Sequence, residues 1–352
     1  PSGNANWQVA QFAVEQINKA GGVVGRPIEL FLEDTASDPK IAVGNVRKLI
    51  QERKVNVVLG GITSAMRQAI KDPIVNRGRT LYISPQLYEG QECTKSLYCT
   101  GPTPAQQCDK LIPYLIKTAG KKRFALPSAN YVWPQLLNKY ARKVIEANGA
   151  EVVFEEYCPR DQAEYSATSV KIRDGKVDCV FNTVIPPGLQ PFVKQLYESG
   201  FQKNGGVLSC VYYDENLLNY HPAQEMEGLY SCLDYFQSVD DPFSKQLQAD
   251  YAKKFPDTKY LFTAGSAATG MYRSIKFYEA AVKATNGDLS RDAVSAAMDK
   301  AKIENGPGGG AEMVPGKMHC KMNMYIAQCK VDAGKTRYEV IASDKMVDPK
   351  EC

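Results

Sequence analysis

Val55-Asn56-Val57-Val58-Leu59-Gly60-Gly61-Ile62-Thr63-Ser64 is the stretch on which the fold turns. Its apolar residues run together rather than alternating, which reads as a short strand covered on both faces. Gly60-Gly61 ends that strand, and Ser64 opens a helix whose apolar positions include Ile70 and Ile74. Thr80 to Ser84 reads as the next strand. Upstream, Ile28-Glu29-Leu30-Phe31-Leu32 reads as a strand and Val43, Val46 and Ile50 mark a helix. Ahead of these, Ala10, Ala13, Val14 and Ile17 mark a first helix that stops at Gly21-Gly22. Strand and helix in this rhythm predict parallel βα units.

After a long loop and a helix through Leu111 and Leu115, the rhythm starts again at Arg123-Phe124-Ala125-Leu126. A helix from Pro134 to Asn148 follows, then strand Glu151 to Glu155, a helix near Tyr165 to Arg173, and strand Asp178 to Thr183. A helix through Phe192 and Leu196 leads into strand Val207 to Tyr212. Beyond Asp240 two helices come close together, Pro242 to Phe255 and Thr263 to Thr285. The Gly-rich turn Gly306 to Gly310 then leads into strands around Met322 to Ala327 and Tyr338 to Ile341. The expected fold class is α/β, two doubly wound parallel-sheet lobes joined by a three-crossing hinge. Crossings are expected near 118–122, 236–241 and 312–320. Lobe I takes residues 1–119 and 240–314, and lobe II takes 120–239 and 315–352. A ligand cleft is expected between the lobes, at the carboxyl ends of the strands.

The chain has 352 residues, 43 Lys and Arg against 39 Asp and Glu, and a formal charge of +4, with the basic residues scattered. Nucleic acid is excluded as a partner on this pattern. No apolar run of 18 residues occurs, so no membrane insertion and a soluble chain are expected. The sequence as written starts at Pro1, for which a cleaved signal peptide is the expected explanation. Ten cysteines form no C-x-x-C pair, and His221 and His319 are the only histidines, so no metal site and no cofactor are expected. The cysteines are either disulfides of an oxidising compartment or buried thiols.

The order of motifs resembles the periplasmic binding proteins of ABC importers for branched-chain amino acids and amides, with a type I periplasmic binding protein fold. The resemblance begins at Ala13 to Leu30 and Glu33 to Pro39. Tyr88-Glu89-Gly90, Gly101 to Gln107, Asn130 to Pro134, Val180 to Val184 and Ser238 to Ser244 resemble the urea and short-chain amide branch more than the leucine-binding branch. One departure stands out. The family opens on an apolar strand before the first helix, where this sequence has Pro1-Ser2-Gly3. The resemblance implies an extracytoplasmic, periplasmic receptor, a monomer, that captures an amide-, urea- or amino-acid-like solute by lobe closure. Its partners are then a small-molecule ligand and the membrane subunits of an ABC importer.

The candidate ligand-binding residues follow from strand-end positions. The Ile62-Thr63-Ser64 turn offers backbone N–H groups and a hydroxyl, and the resemblance implies that it holds the ligand's carboxylate or carbonyl. The alternative is that Ser64 only caps its helix. Tyr88, Tyr131, Trp133, Tyr212 and Tyr213 supply flat apolar walls with polar edges, or plain core packing. Asp214, with Glu215 beside it, stands where amino-acid-binding members carry an acid for the ligand's ammonium, or else it caps a turn. Its orientation separates an amino acid from a neutral amide. Cys93 and Cys99 share one polar loop and are the first disulfide candidates; Cys320 with Cys329 and Cys210 with Cys232 are weaker ones.

No catalytic residues are assigned, because the sequence holds no G-x-S-x-G elbow, Walker loop or paired histidines. An amidase-type enzyme is the less supported rival, and a cytoplasmic amide-responsive sensor on the same fold is the other.

Overall fold

The computed structural model describes residues 2–264 and 268–352. The chain forms two compact units: unit 1 holds residues 1–103, 239–323 and 344–352, and unit 2 holds 104–238 and 324–343. The chain first changes unit after Thr103, ahead of the expected 118–122, so the helix through Leu111 and Leu115 belongs to unit 2. It changes again at 238/239, at 323/324 and at 343/344, the last return carrying the C-terminal residues into unit 1.

In unit 1, α1 (Ser2–Lys19) and α2 (Pro39–Gln51) precede β1 (Val57–Leu59), α3 (Ser64–Asp72), β2 (Leu81–Ser84) and β3 (Leu97–Cys99). The three strands pair in parallel in the order β1-β2-β3. β1 and β2 lie where the sequence places strands; β3 does not stand out in sequence because Leu97-Tyr98-Cys99 sits between polar Thr94-Lys95-Ser96 and the turn residues Thr100-Gly101-Pro102. Ile28–Leu32 forms no strand, which corrects the expectation. A strand exists only through its ladder, and among the described residues this extended segment has no neighbouring strand. It is tied instead by Asn18, whose side-chain amide exchanges hydrogen bonds with the Ile28 backbone.

In unit 2, α4 (Pro104–Lys117), β4 (Arg123–Ala129), α5 (Val132–Ala147), β5 (Glu151–Cys158), α6 (Ser166–Asp174), β6 (Cys179–Phe181), α7 (Leu189–Glu198) and β7 (Val207–Cys210) alternate. Two short helices, α8 (Glu215–Leu218) and α9 (Ala223–Met226), lead into β8 (Tyr230–Leu233). The order β5-β4-β6-β7-β8 is parallel throughout. The first strand of this series, β4, has its successor on one side and β6 on the other. That reversal is the topological switch point of a doubly wound sheet.

Unit 1 resumes with α10 (Pro242–Lys254), α11 (Thr269–Ala284), α12 (Arg291–Met298), β9 (Lys302–Ile303) and β10 (Ala311–Met313). The helix expected from Thr263 begins at Thr269, and residues 265–267 within it lie outside the described residues. β11 (Cys320–Asp332) pairs antiparallel with β10 at its start and with β8 further on, and β12 (Lys335–Val347) pairs with β11. No described helix is long and apolar enough to cross a membrane.

Cys93 is bonded to Cys352, not to Cys99. This corrects the pairing expected within one loop. Cys99 sits in β3 with its side chain buried, while the C-terminal residues bring Cys352 to Cys93 inside unit 1. Cys210, Cys232, Cys320 and Cys329, the other expected partners, are likewise free and buried.

Candidate functional site

The Ser64 turn of unit 1 is built by the end of β1. Gly61 has φ +78, and a Cβ there would lie 2.9 Å from the Tyr82 hydroxyl. Both the left-handed backbone and the close approach of Tyr82 require glycine. Thr63, in extended conformation, is the helix cap: its hydroxyl accepts from the Met66 N–H at 3.2 Å. Ser64 is therefore the first helical residue and its hydroxyl is spared from capping. It donates instead to Oε2 of Glu89 at 2.6 Å. Ile62 is exposed.

Ser64, Arg67 and Lys71 fall at helical spacing and share one face of α3, opposite the segment from Tyr88 to Glu92. Arg67 is paired with Glu89 and its guanidinium lies 4.6 Å over the Tyr88 ring, while Lys71 holds Glu92 at 3.1 Å. Burial works against the Arg67 charge, but Glu89 alongside outweighs it and holds the proton on. Burial likewise opposes the Glu92 charge, and Thr94 and Lys71 overcome it, leaving the carboxyl below its usual range. Tyr88 is buried and its hydroxyl engages His319 and the Glu92 N–H. His319 Nδ1 lies 2.6 Å from the Lys317 carbonyl, so it is the donor there and Nε2 accepts from Tyr88. One face of the Tyr88 phenol and its hydroxyl are thus engaged by the chain. Gln86, two residues before Tyr88 in the loop after β2, is 2 % exposed and has neither end of its amide paired.

In unit 2 the sequence-derived residues converge. Tyr131 caps α5 after β4 and Trp133 lies in the first turn of that helix, while the loop after β7 carries Tyr212 and Tyr213. The Trp133 ring meets Tyr131 at 6.2 Å and Tyr212 edge-on at 5.5 Å, and Tyr212 meets Tyr213 at 4.9 Å. Asn182, just after β6, donates to both tyrosine hydroxyls, at 3.3 and 3.4 Å. Tyr212 itself donates to the Val184 carbonyl. The loops after β4 and β6 flank the switch point, where doubly wound sheets take their ligands. Trp133 is 5 % exposed and its indole N–H has no partner.

Asp214 caps α8, accepting from the Leu217 N–H at 2.9 Å. Glu215 is buried; Oε1 accepts from the Gln237 N–H at 2.8 Å, Oε2 is unpaired, and burial pushes its carboxyl up to about 8. Glu89, Arg67, Gln86, Asn182 and Glu215 complete the two clusters beyond the residues singled out as ligand contacts. Arg67 carries a readable signal, its spacing from Ser64, and Glu89 follows Tyr88 directly. Gln86 and Asn182 carry none, since only the fold places them. Among the described residues no group of three or more His, Cys, Asp or Glu is placed to hold a metal ion.

Residues 1–335 match the family described as periplasmic binding protein. The chain belongs to the periplasmic binding protein family. The periplasmic binding protein fold is equally clear in solved structures. A solute-binding protein of an ABC transporter from Rhodopseudomonas palustris BisB5, in complex with 3,4-dihydroxybenzoic acid, superposes with a TM-score of 0.83 at 24% identity, over 99% of this chain and 95% of that one. A leucine-, isoleucine-, valine-, threonine- and alanine-binding protein from Brucella ovis, in a closed conformation, gives 0.87 at 17% identity, over 100% and 94%. Both have the type I fold expected for this chain. In sequence, a Leu/Ile/Val-binding protein of Rhizobium johnstonii is 27% identical over 58% of this chain and 52% of its own length. An amino acid binding protein of Pseudomonas aeruginosa is 25% identical over 59% and 57%. The matched part is thus about half the length of these curated relatives.

Proposed function

We propose that this periplasmic binding protein is the extracytoplasmic receptor of an ABC importer, capturing by closure a small neutral solute of amide or urea type and releasing it unchanged. The observation that carries the reading is the Trp133 indole N–H, buried without a partner in the aromatic cluster at the switch point of unit 2. An unpaired buried donor calls for an acceptor, and flat aromatic walls suit a planar one. On unit 1 the Ser64 turn is the corresponding strand-end group.

The same acids that would mark an amino-acid receptor favour a neutral solute here. Asp214 is engaged as a cap, and Glu215, raised to about 8 by burial, would have to give up its proton before it could pair with an ammonium group. The test is calorimetry with urea, formamide, acetamide, propionamide, leucine and benzoate, with product analysis and osmotic-shock fractionation of the native host. One-to-one binding of an amide or urea without conversion is expected, with the protein in the shock fluid. Trp133→Phe, which keeps the ring and removes the N–H, should cost about 1–2 kcal/mol of affinity. Steady hydrolysis of the amide, or retention in the cytoplasm, would replace the receptor with the enzyme or the sensor.

A further inference from the structure

We propose that Glu89 sets the hydrogen-bonding polarity of Ser64, so that the Ser64 turn reads the edge of a neutral amide and rejects a carboxylate. This rests on the reading that the solute lies at that turn. A serine hydroxyl has one proton and two lone pairs. Here the proton is committed to Oε2 of Glu89 at 2.6 Å. The Glu89 side chain is 4% exposed and its other oxygen holds Arg67, so the carboxylate is pinned and has only lone pairs to offer. What Ser64 presents to a solute is therefore an acceptor.

The Ser64 and Ala65 backbone N–H groups, first in α3, have no acceptor within the helix. A donor and an acceptor thus stand side by side. The edge of a primary amide or urea carries the matching pair, a carbonyl for the backbone and an N–H for Ser64 Oγ. A carboxylate carries two acceptors. One of its oxygens would meet the Ser64 lone pairs with the Glu89 charge directly behind them. Arg67 and Lys71 are balanced by Glu89 and Glu92, so the cluster holds no surplus positive charge to compensate. Ser64 is only 6 % exposed, which leaves little water to bridge the mismatch.

Glu89 is thus a positioning residue that acts through Ser64, and Glu89→Gln should invert the preference. Arg67 would draw the new amide's oxygen, turning its NH2 toward Ser64 Oγ. The serine would then accept from within and point its own proton outward. The probes are acetamide and acetate, which have nearly the same shape, titrated by calorimetry into wild type, Glu89→Gln and Ser64→Ala. Wild type should prefer acetamide by about 100-fold or more, as a site with committed polar groups does. Glu89→Gln should bring the ratio to about one or reverse it, and Ser64→Ala should weaken acetamide about tenfold while acetate changes little.

An unchanged ratio in a folded Glu89→Gln overturns the inference. If that variant does not fold, wild type and Ser64→Ala decide. Equal wild-type affinities, or a Ser64→Ala that weakens both probes equally, overturn it as well. A Ser64→Ala that binds both probes as wild type does, or a wild type that binds neither, refutes instead the placement of an amide at this turn and takes the inference with it.

Discussion

Glu215 and Asp214 are neighbours in sequence with the same functional group, yet their surroundings separate them. Both are buried, but Asp214 has a helix N-terminus to cap, whereas Glu215 keeps one oxygen unpaired. Its folded value of about 8 against an ordinary 4.5 means that the folded chain holds a proton that the unfolded chain has released. Stability from this group is therefore full below pH 4.5 and falls as pH rises toward 8, by about 3–5 kcal/mol in all. His221, pushed down to about 4 by burial, acts with the opposite sign and only below pH 6.5. Burial also raises Glu225, Glu351 and the buried thiols, so Glu215 is isolated by the difference between wild type and a variant that lacks the acid. Glu215→Gln, a neutral mimic of the protonated acid, should flatten the decline toward pH 8 and exceed wild type in stability there. Urea unfolding at several pH values measures this, and parallel curves for the two proteins would refute it.

At the scale of elements, helical periodicity was the most legible signal. α1 buries Val9, Ala10, Ala13, Val14 and Ile17, and Phe12 stacks edge-on with Tyr251 and Phe262 of the covering layer in unit 1. The inner strands β4, β6 and β7 of unit 2 fall at apolar runs, because a strand covered on both faces has little room for charge, whereas the edge strand β5 carries Glu155 and Glu156 and is only half-buried. Ile28–Leu32 has the same composition and no ladder, since pairing depends on what lies alongside. β12 is the converse case, a strand with exposed Lys335 and Arg337 that pairs on one side only, as suits a sheet edge. A close contact in unit 1 offers a test at this scale. α11 approaches the loop after β2 so closely that a Cβ on Gly270 would lie 1.8 Å from the Pro85 carbonyl oxygen. Backbone cannot yield as a flexible side chain does. Gly270→Ala should therefore destabilise unit 1 by about 2–3 kcal/mol or more through overpacking, although alanine is the better helix former. Thermal unfolding checks this, and an unchanged or raised midpoint would show that the helix shifts freely.

Over the whole molecule, the chain is organised by its crossings between units and by one covalent link. Cys93 and Cys352 are separated by 259 residues, and both belong to unit 1. Joining positions so far apart limits the unfolded chain, and loss of such a link costs about 2–5 kcal/mol. The C-terminal residues also dock through Glu351, which accepts from the Gln91 N–H at 2.6 Å, and through the Pro349 carbonyl, which accepts from Thr103 at 2.9 Å. Cys352→Ser should lower stability by about that amount and match wild type treated with reductant. Non-reducing peptide maps should show Cys93 joined to Cys352 and the eight remaining thiols alkylated only after unfolding. A Cys93–Cys99 peptide would refute the pairing.

The sequence by itself determined the α/β class, the order of most helices and strands, and the family, because these follow from local periodicity and from motifs contiguous along the chain. It also marked the strand ends that lead to Ser64, Tyr131, Trp133 and Tyr212. Only the tertiary structure decided what those side chains touch. That Ser64 gives its proton to Glu89, that Trp133 keeps its N–H unpaired, that Asp214 caps while Glu215 keeps an oxygen unpaired, and that Cys93 pairs with Cys352 all depend on residues distant in sequence or on burial. Hydrogen-bond partners and desolvation are properties of a place in space, and periodicity along a chain carries no record of them.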